Sequence, residues 1–164
     1  MIVTNRLILR ECTLQDAPFV YKLMNSEGWL KNIGNRNINS VKDAEIYMEE
    51  NYFSSFIKYG FGSYVVRLKE DETPIGTSGL FKRDRLDFPD IGFAYLEEYG
   101  NKGYAFEAAN AIVKYAKETL KLQTITGITL PTNTASIKLL KKLGMTEVGW
   151  YTSDDGKKLL LLSN

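Results

Sequence analysis

Between a short apolar strand, Ile91-Gly92-Phe93-Ala94-Tyr95-Leu96, and an Ala-rich run opening Tyr104-Ala105-Phe106-Glu107-Ala108-Ala109, the chain carries the loop Gly100-Asn101-Lys102-Gly103. A strand that passes through glycines into a helix start presents unpaired backbone N–H groups at the positive end of the helix dipole, a ready site for phosphate. A phosphorylated cofactor is one expectation; from the loop alone, a plain structural β-to-α turn fits equally well. Two familiar phosphate loops are missing. Lys102 precedes Gly103 where a G-x-x-x-x-G-K-[ST] loop has it following, and no G-x-G-x-x-G opens a helix after a strand.

The rest of the chemical inventory is short. The 164 residues include no histidine and one cysteine, Cys12, which removes Ser-His-Asp and Cys-His nucleophiles and ordinary structural zinc sites. Asp84, Asp87 and Asp90 do not run on into the Gly and Glu of a calcium loop, so no metal is expected. Carboxylates, hydroxyls, lysines and backbone remain. Cys12 has no disulfide partner; it fits a small core residue in a reducing compartment. Lys plus Arg (21) nearly cancel Asp plus Glu (20), which argues against a nucleic-acid partner. With no signal-peptide pattern at Met1-Ile2-Val3-Thr4-Asn5-Arg6 and no run of about 18 apolar residues, a cytoplasmic protein without membrane contact is expected.

Elements that could hold the loop in place follow from local patterns. Ile2 to Arg10 reads as a first strand, and Thr13-Leu14-Gln15-Asp16 has capping-box form before a helix to about Ser26. Ser40-Val41-Lys42-Asp43 opens a longer helix to about Tyr59, and the intervening Asn25 to Asn39 reads as a loop carrying Trp29. Strands follow over Ser63 to Lys69 and Pro74 to Lys82, then a polar loop from Arg83 to Pro89. Ala105, Ala108, Ala109, Ile112, Val113 and Ala116 recur at helical spacing, a narrow small-residue face suited to lying close on a sheet. Thr124 to Leu130 is β-branched, Asn133 to Leu143 is amphipathic and ends at Gly144, and Met145 to Thr152 and Lys157 to Leu162 read as a final hairpin. One domain over residues 1–164 is expected, mixed α/β, with helices on both faces of a twisted sheet.

A second element accompanies the loop: Asn133-Thr134-Ala135-Ser136-Ile137-Lys138-Leu139-Leu140-Lys141-Lys142-Leu143-Gly144-Met145. With it the chain resembles the GNAT family of acyl-CoA-dependent N-acetyltransferases. The family's motif A, Q/R-x-x-G-x-G/A, maps onto Gly100 to Ala105; its motif B, an Asn followed by a Ser- or Ala-containing helix ending K-L-G-F, maps onto Asn133 to Met145. Thr4-Asn5-Arg6-Leu7-Ile8-Leu9-Arg10 and Ile91 to Ala109 look like the RimJ/RimL branch, the ribosomal-protein N-terminal acetyltransferases. The resemblance spans essentially the whole chain. It implies a mostly antiparallel central sheet of about seven strands, splayed in the middle.

The same resemblance implies acetyl-CoA as cosubstrate, with Phe93, Ala94 and Tyr95 binding the pantetheine arm through backbone. Gly100, Asn101, Lys102, Gly103, Tyr104 and Ala105 would surround the pyrophosphate, and Asn133 and Ser136 would add coenzyme contacts. A primary amine would attack the thioester directly in a ternary complex, as monomer or homodimer; the acceptor would be a protein N-terminus or a small molecule. Gly100 and Asn101 depart from motif A, although Asn tolerates the left-handed region that the loop needs. Leu140 stands where many relatives carry a Tyr acting as general acid, so that role cannot be transferred to it. Ser136 is the nearest substitute, or else makes a local backbone hydrogen bond. Asp90 either takes a proton from the amine or is a solvated turn residue. Glu107 reads as structural at the helix start. Trp29 and Tyr52 would line the acceptor pocket or make core or dimer contacts. A coenzyme-binding sensor without turnover is the alternative from a different class.

Overall fold

The computed structural model describes residues 1–164. Eight strands form one sheet: β1 Ile2–Val3, β2 Leu7–Glu11, β3 Ser63–Leu68, β4 Pro74–Phe81, β5 Asp90–Tyr95, β6 Thr126–Thr129, β7 Thr146–Thr152 and β8 Lys158–Ser163. Their order across the sheet is β1-β2-β3-β4-β5-β6-β8-β7, and every neighbouring pair is antiparallel except β5 with β6. The expected first strand is split. Thr4 turns the chain, its hydroxyl accepting from the Leu7 N–H at 3.0 Å, so Ile2 pairs with Leu9 and the count rises to eight.

Six helices cover the sheet: α1 Ala17–Met24, α2 Glu27–Asn32, α3 Val41–Tyr47, α4 Ser54–Tyr59, α5 Tyr104–Glu118 and α6 Thr134–Lys142. Strand alternation divides the core between the two faces. Val66, Ile75, Leu80 and Ile91 pack beneath Ala108, Ala109, Ile112 and Ala116 of α5, where the alanines let helix and sheet approach closely. On the other face Val65 and Leu96 pack with Val20, Leu23, Met24, Ala44 and Met48 of the first helices.

Residues 25–39, expected as a loop, contain α2. Ser26 caps it by accepting from the Trp29 N–H, and Trp29 is buried. Tyr52 is also buried in this cluster, so both aromatics belong to the core rather than to a free pocket wall. The helix expected from Ser40 to Tyr59 is interrupted by a π-helical turn over Met48–Phe53 between α3 and α4. Its start behaves as its sequence suggests: Ser40 accepts from the Asp43 N–H at 3.1 Å.

Candidate active site

β5 and β6 run parallel and meet at one register pair, Asp90 with Thr126; beyond it they diverge. On its other side β5 stays paired with β4 from Asp90 to Tyr95. The Leu96 N–H donates to Ile75 O at 3.0 Å, so by alternation the backbone groups of Ala94 and Gly92 also face β4. Those of Phe93 and Tyr95 therefore face the gap. This is the splay expected in the middle of the sheet, closed at Asp90 and open toward Tyr95.

At the open end the chain makes a short 3-10 turn, Glu97–Tyr99, before the loop. Asn101 takes φ +58°, the left-handed conformation that its side chain tolerates, and Gly103 takes φ +81° as the N-cap of α5. No side chain caps this helix. The first intrahelical bond is Glu107 N–H to Gly103 O, and the six N–H groups from Asn101 through Phe106 find no acceptor in the protein. Six adjacent donors at a helix start form a cradle for an anion with several oxygens.

The cradle is held from outside. Glu107 accepts from the Thr4 hydroxyl (2.7 Å), the Arg6 N–H (2.8 Å) and Arg6 Nε (2.7 Å), while Arg6 Nη1 donates to Lys102 O at 3.0 Å. Glu107 is thus a structural anchor; burial pushes its carboxyl up, but these contacts outweigh burial and hold it below the ordinary value. Arg6 also stacks over the Tyr104 ring, with 4.5 Å from the guanidinium carbon to the ring centroid. These long-range partners of the loop left no local signal in the sequence.

On α6, Asn133 Oδ1 accepts from the Ser136 N–H at 3.1 Å, the N-cap expected of it. The Ser136 hydroxyl makes no hydrogen bond to the backbone, so the local bond that is the alternative to a chemical role does not form and the group is free. Leu140 is 1 % exposed and packs against Gly127 of β6, an apolar side chain with no proton to give.

Asp90 is not a solvated turn residue. It begins β5, its side chain is 1 % exposed, and Oδ1 accepts from Arg83 Nε at 2.8 Å. Burial lifts its carboxyl above the ordinary value, with Arg83 opposing. Cys12 is buried with its thiol pushed up to about 12, first of all by burial, as suits a core residue rather than a nucleophile. No group of three or more acidic or cysteine side chains is placed to hold a metal ion, and no helix is long and apolar enough to cross a membrane.

A sheet opened between two parallel strands thus carries, at the mouth of the opening, an N–H cradle suited to a phosphorylated ligand. Residues 6–146 match the acetyltransferase (GNAT) domain, and the chain belongs to that family of acetyltransferases. YnaD of Bacillus subtilis (strain 168), an uncharacterized N-acetyltransferase, is 29% identical over 150 residues, 92% of this chain and 85% of its own. The GNAT-family acetyltransferase of Bacillus anthracis has a similar structure, with TM-score 0.81 over 99% of this chain and 96% of its own at 24% identity. RimL, the ribosomal L7/L12 α-N-protein acetyltransferase in complex with coenzyme A, has TM-score 0.84 over 99% and 95% of the two chains. At 14% identity that likeness is one of fold.

Proposed function

We propose that residues 1–164 act as one unit that transfers acetyl from acetyl-CoA to a primary amine in a ternary complex. The preferred amine is a protein N-terminal α-amine, as in the RimJ/RimL branch. The observation that carries this reading is the run of unpaired N–H donors from Asn101 to Phe106 at the mouth of the β5–β6 gap. The residues present fit the coenzyme. The cradle would hold its pyrophosphate, the gap-facing backbone of Phe93 and Tyr95 its amide-containing arm, and the start of α6 with Asn133 and Ser136 would close the other side. Bound there, the coenzyme supplies the acetyl thioester and a thiolate leaving group.

The chain's own groups then have limited work. A backbone N–H of β5 polarises the thioester carbonyl. Asp90 accepts the proton released by the amine, and the Ser136 hydroxyl donates one to the sulfur. A site with one shielded base suits an α-amine. About a tenth of such amines are neutral at pH 7, against under about a thousandth of lysine side chains.

Leu140, buried in place of a Tyr, favours a second reading, coenzyme binding without turnover. Free-thiol release from acetyl-CoA across a panel of peptides, amino acids and polyamines separates the two. Release with peptides supports transfer to an α-amine, release with polyamines alone moves the acceptor to small amines, and tight coenzyme binding without release leaves a sensor.

A further inference from the structure

The closed end of the gap carries a guanidinium that the transfer just described leaves unused. β5 runs five residues, about 17 Å, from Tyr95 to the Asp90–Thr126 pair, so a coenzyme arm laid along it from the cradle would point its reacting end toward Asp90. Arg83 stands beside Asp90. Its Nε is held by Asp90 at 2.8 Å and its guanidinium carbon lies 5.8 Å from the Phe81 ring centroid, contacts that fix the plane of the group. The two terminal amino groups make no hydrogen bond within the protein, and the side chain is 36% exposed.

Arg83 opens onto a cleft of about 330 Å³ lined also by Lys82, Asp84, Arg85, Tyr151 and Asp154. The other cations there are engaged. Lys82 donates to the carbonyls of Leu86 and Asp87, and Arg85 meets Asp154 at 3.3 Å and Thr152 O at 3.4 Å. Asp84 is exposed at the rim. A guanidinium fixed at Nε presents its free edge as a planar fork, the geometry that carboxylates accept in two parallel bonds.

We propose that Arg83 sets acceptor specificity by binding a carboxylate of the acceptor through its two terminal amino groups, so that the favoured substrates are amines that also carry a carboxylate. The inference rests on the acetyl-transfer reading above. Besides its proton-accepting role, Asp90 positions Arg83: its hold on Nε aims the fork.

The test uses the full chain with acetyl-CoA and matched acceptors. These are C-terminally amidated Ser-Glu against Ser-Gln, and free glycine against glycinamide, so that a side-chain and an α-carboxylate are judged separately. The expected result is a KM lower by about tenfold for the acidic member of at least one pair, with kcat little changed. Arg83→Gln brings that ratio to near one and Arg83→Lys restores part of it. Equal KM values within both pairs for the unsubstituted protein overturn the proposal, a comparison that needs no variant to fold. If no acceptor releases thiol, binding of N-acetyl-Ser-Glu amide and N-acetyl-Ser-Gln amide is measured with coenzyme A present. Tighter binding of the acidic peptide keeps the carboxylate site while rejecting acetyl transfer; equal or absent binding overturns the site.

Discussion

Asp16 and Asp90 are both acids inside the protein, each nearly sealed from solvent, and each meets arginine. Their surroundings differ in the number of donors. Asp16 accepts from Arg10 Nη1 and Nη2 (both 2.8 Å), Arg67 Nη2 (2.9 Å), the Thr13 N–H (2.8 Å) and the Thr13 hydroxyl (3.2 Å). Asp90 has Arg83 Nε. Burial pushes both carboxyls up. At Asp16 the five donors outweigh burial and bring it down to about 2, while at Asp90 burial wins and the shift is upward. One residue type therefore serves opposite ends. Saturated, it is a knot tying β2, β3 and the start of α1; undersaturated at the end of the gap, it keeps the capacity to hold a proton or aim a cation.

The largest expected effect breaks the knot. Asp16→Ala leaves Arg10 and Arg67 without their shared partner under the first helices and should cost about 3–5 kcal/mol of stability, read by urea unfolding at pH 7. Coenzyme affinity of the remaining folded protein should not move, because the knot lies away from the cradle. A loss under about 1 kcal/mol would mean that water replaces the carboxylate without strain.

Asp90→Asn tests the other half of the contrast. The amide can still accept from Arg83 Nε, so the fold should survive, but it takes no proton. Transfer should slow by about a hundredfold and lose the acid limb of its pH profile. An unchanged profile would remove Asp90 from proton transfer and leave it as the holder of Arg83.

Acid separates the two carboxylates without mutation. The folded value of Asp16 lies below its ordinary 3.8, so the stability it confers is fully present above pH 3.8 and is lost as pH falls toward 2. The shift corresponds to about 2 kcal/mol. Asp90 has the opposite sign: its raised folded value means that its ionised form costs stability, a cost that fades on acidification. Urea midpoints at pH 5, 4 and 3 should fall in the parent protein and flatten in Asp16→Asn. A parallel fall in both would assign acid lability to other groups.

What the sequence showed and what it hid divide along the range of the interactions. Caps and turns are local, and Thr13-x-x-Asp16, Ser40-x-x-Asp43, Asn133 before α6 and Gly144 after it were legible because the residues that bond are three or four apart. Asn101 in the left-handed region was legible because Asn tolerates that conformation better than most residues. The splay could be expected from family likeness alone, since nothing in the apolar run Ile91 to Leu96 says which edge of the strand goes unpaired. Helix α2 was missed because it is short and lies in an Asn- and Gly-rich segment, and it owes its order to packing by Trp29 and to Glu97, which accepts from the Gly28 N–H at 2.6 Å. The Arg83–Asp90 pair spans seven residues across a turn, and Arg6 reaches a loop almost a hundred residues away. Neither spacing marks a local motif, so the surroundings of Arg83 and of the loop were the least readable parts of the chain.

The smallest predicted effect bears on the cradle itself, and a second glycine supplies its control. Gly103 (φ +81°) and Gly144 (φ +87°) both hold the left-handed conformation at a helix end. A Cβ on Gly144 would meet nothing within 4 Å, whereas one on Gly103 would stand 3.3 Å from Arg6 Nη2, among the free N–H donors. Each alanine substitution should cost about 1 kcal/mol of stability from backbone strain, seen as similar shifts in urea midpoint. Calorimetric titration with acetyl-CoA should then part them: affinity falls in Gly103→Ala, where the methyl group crowds the anion site and displaces the Arg6 clamp, and holds in Gly144→Ala. Equal affinities would show that the loop is only a turn, and the phosphates would have to be sought elsewhere along the gap.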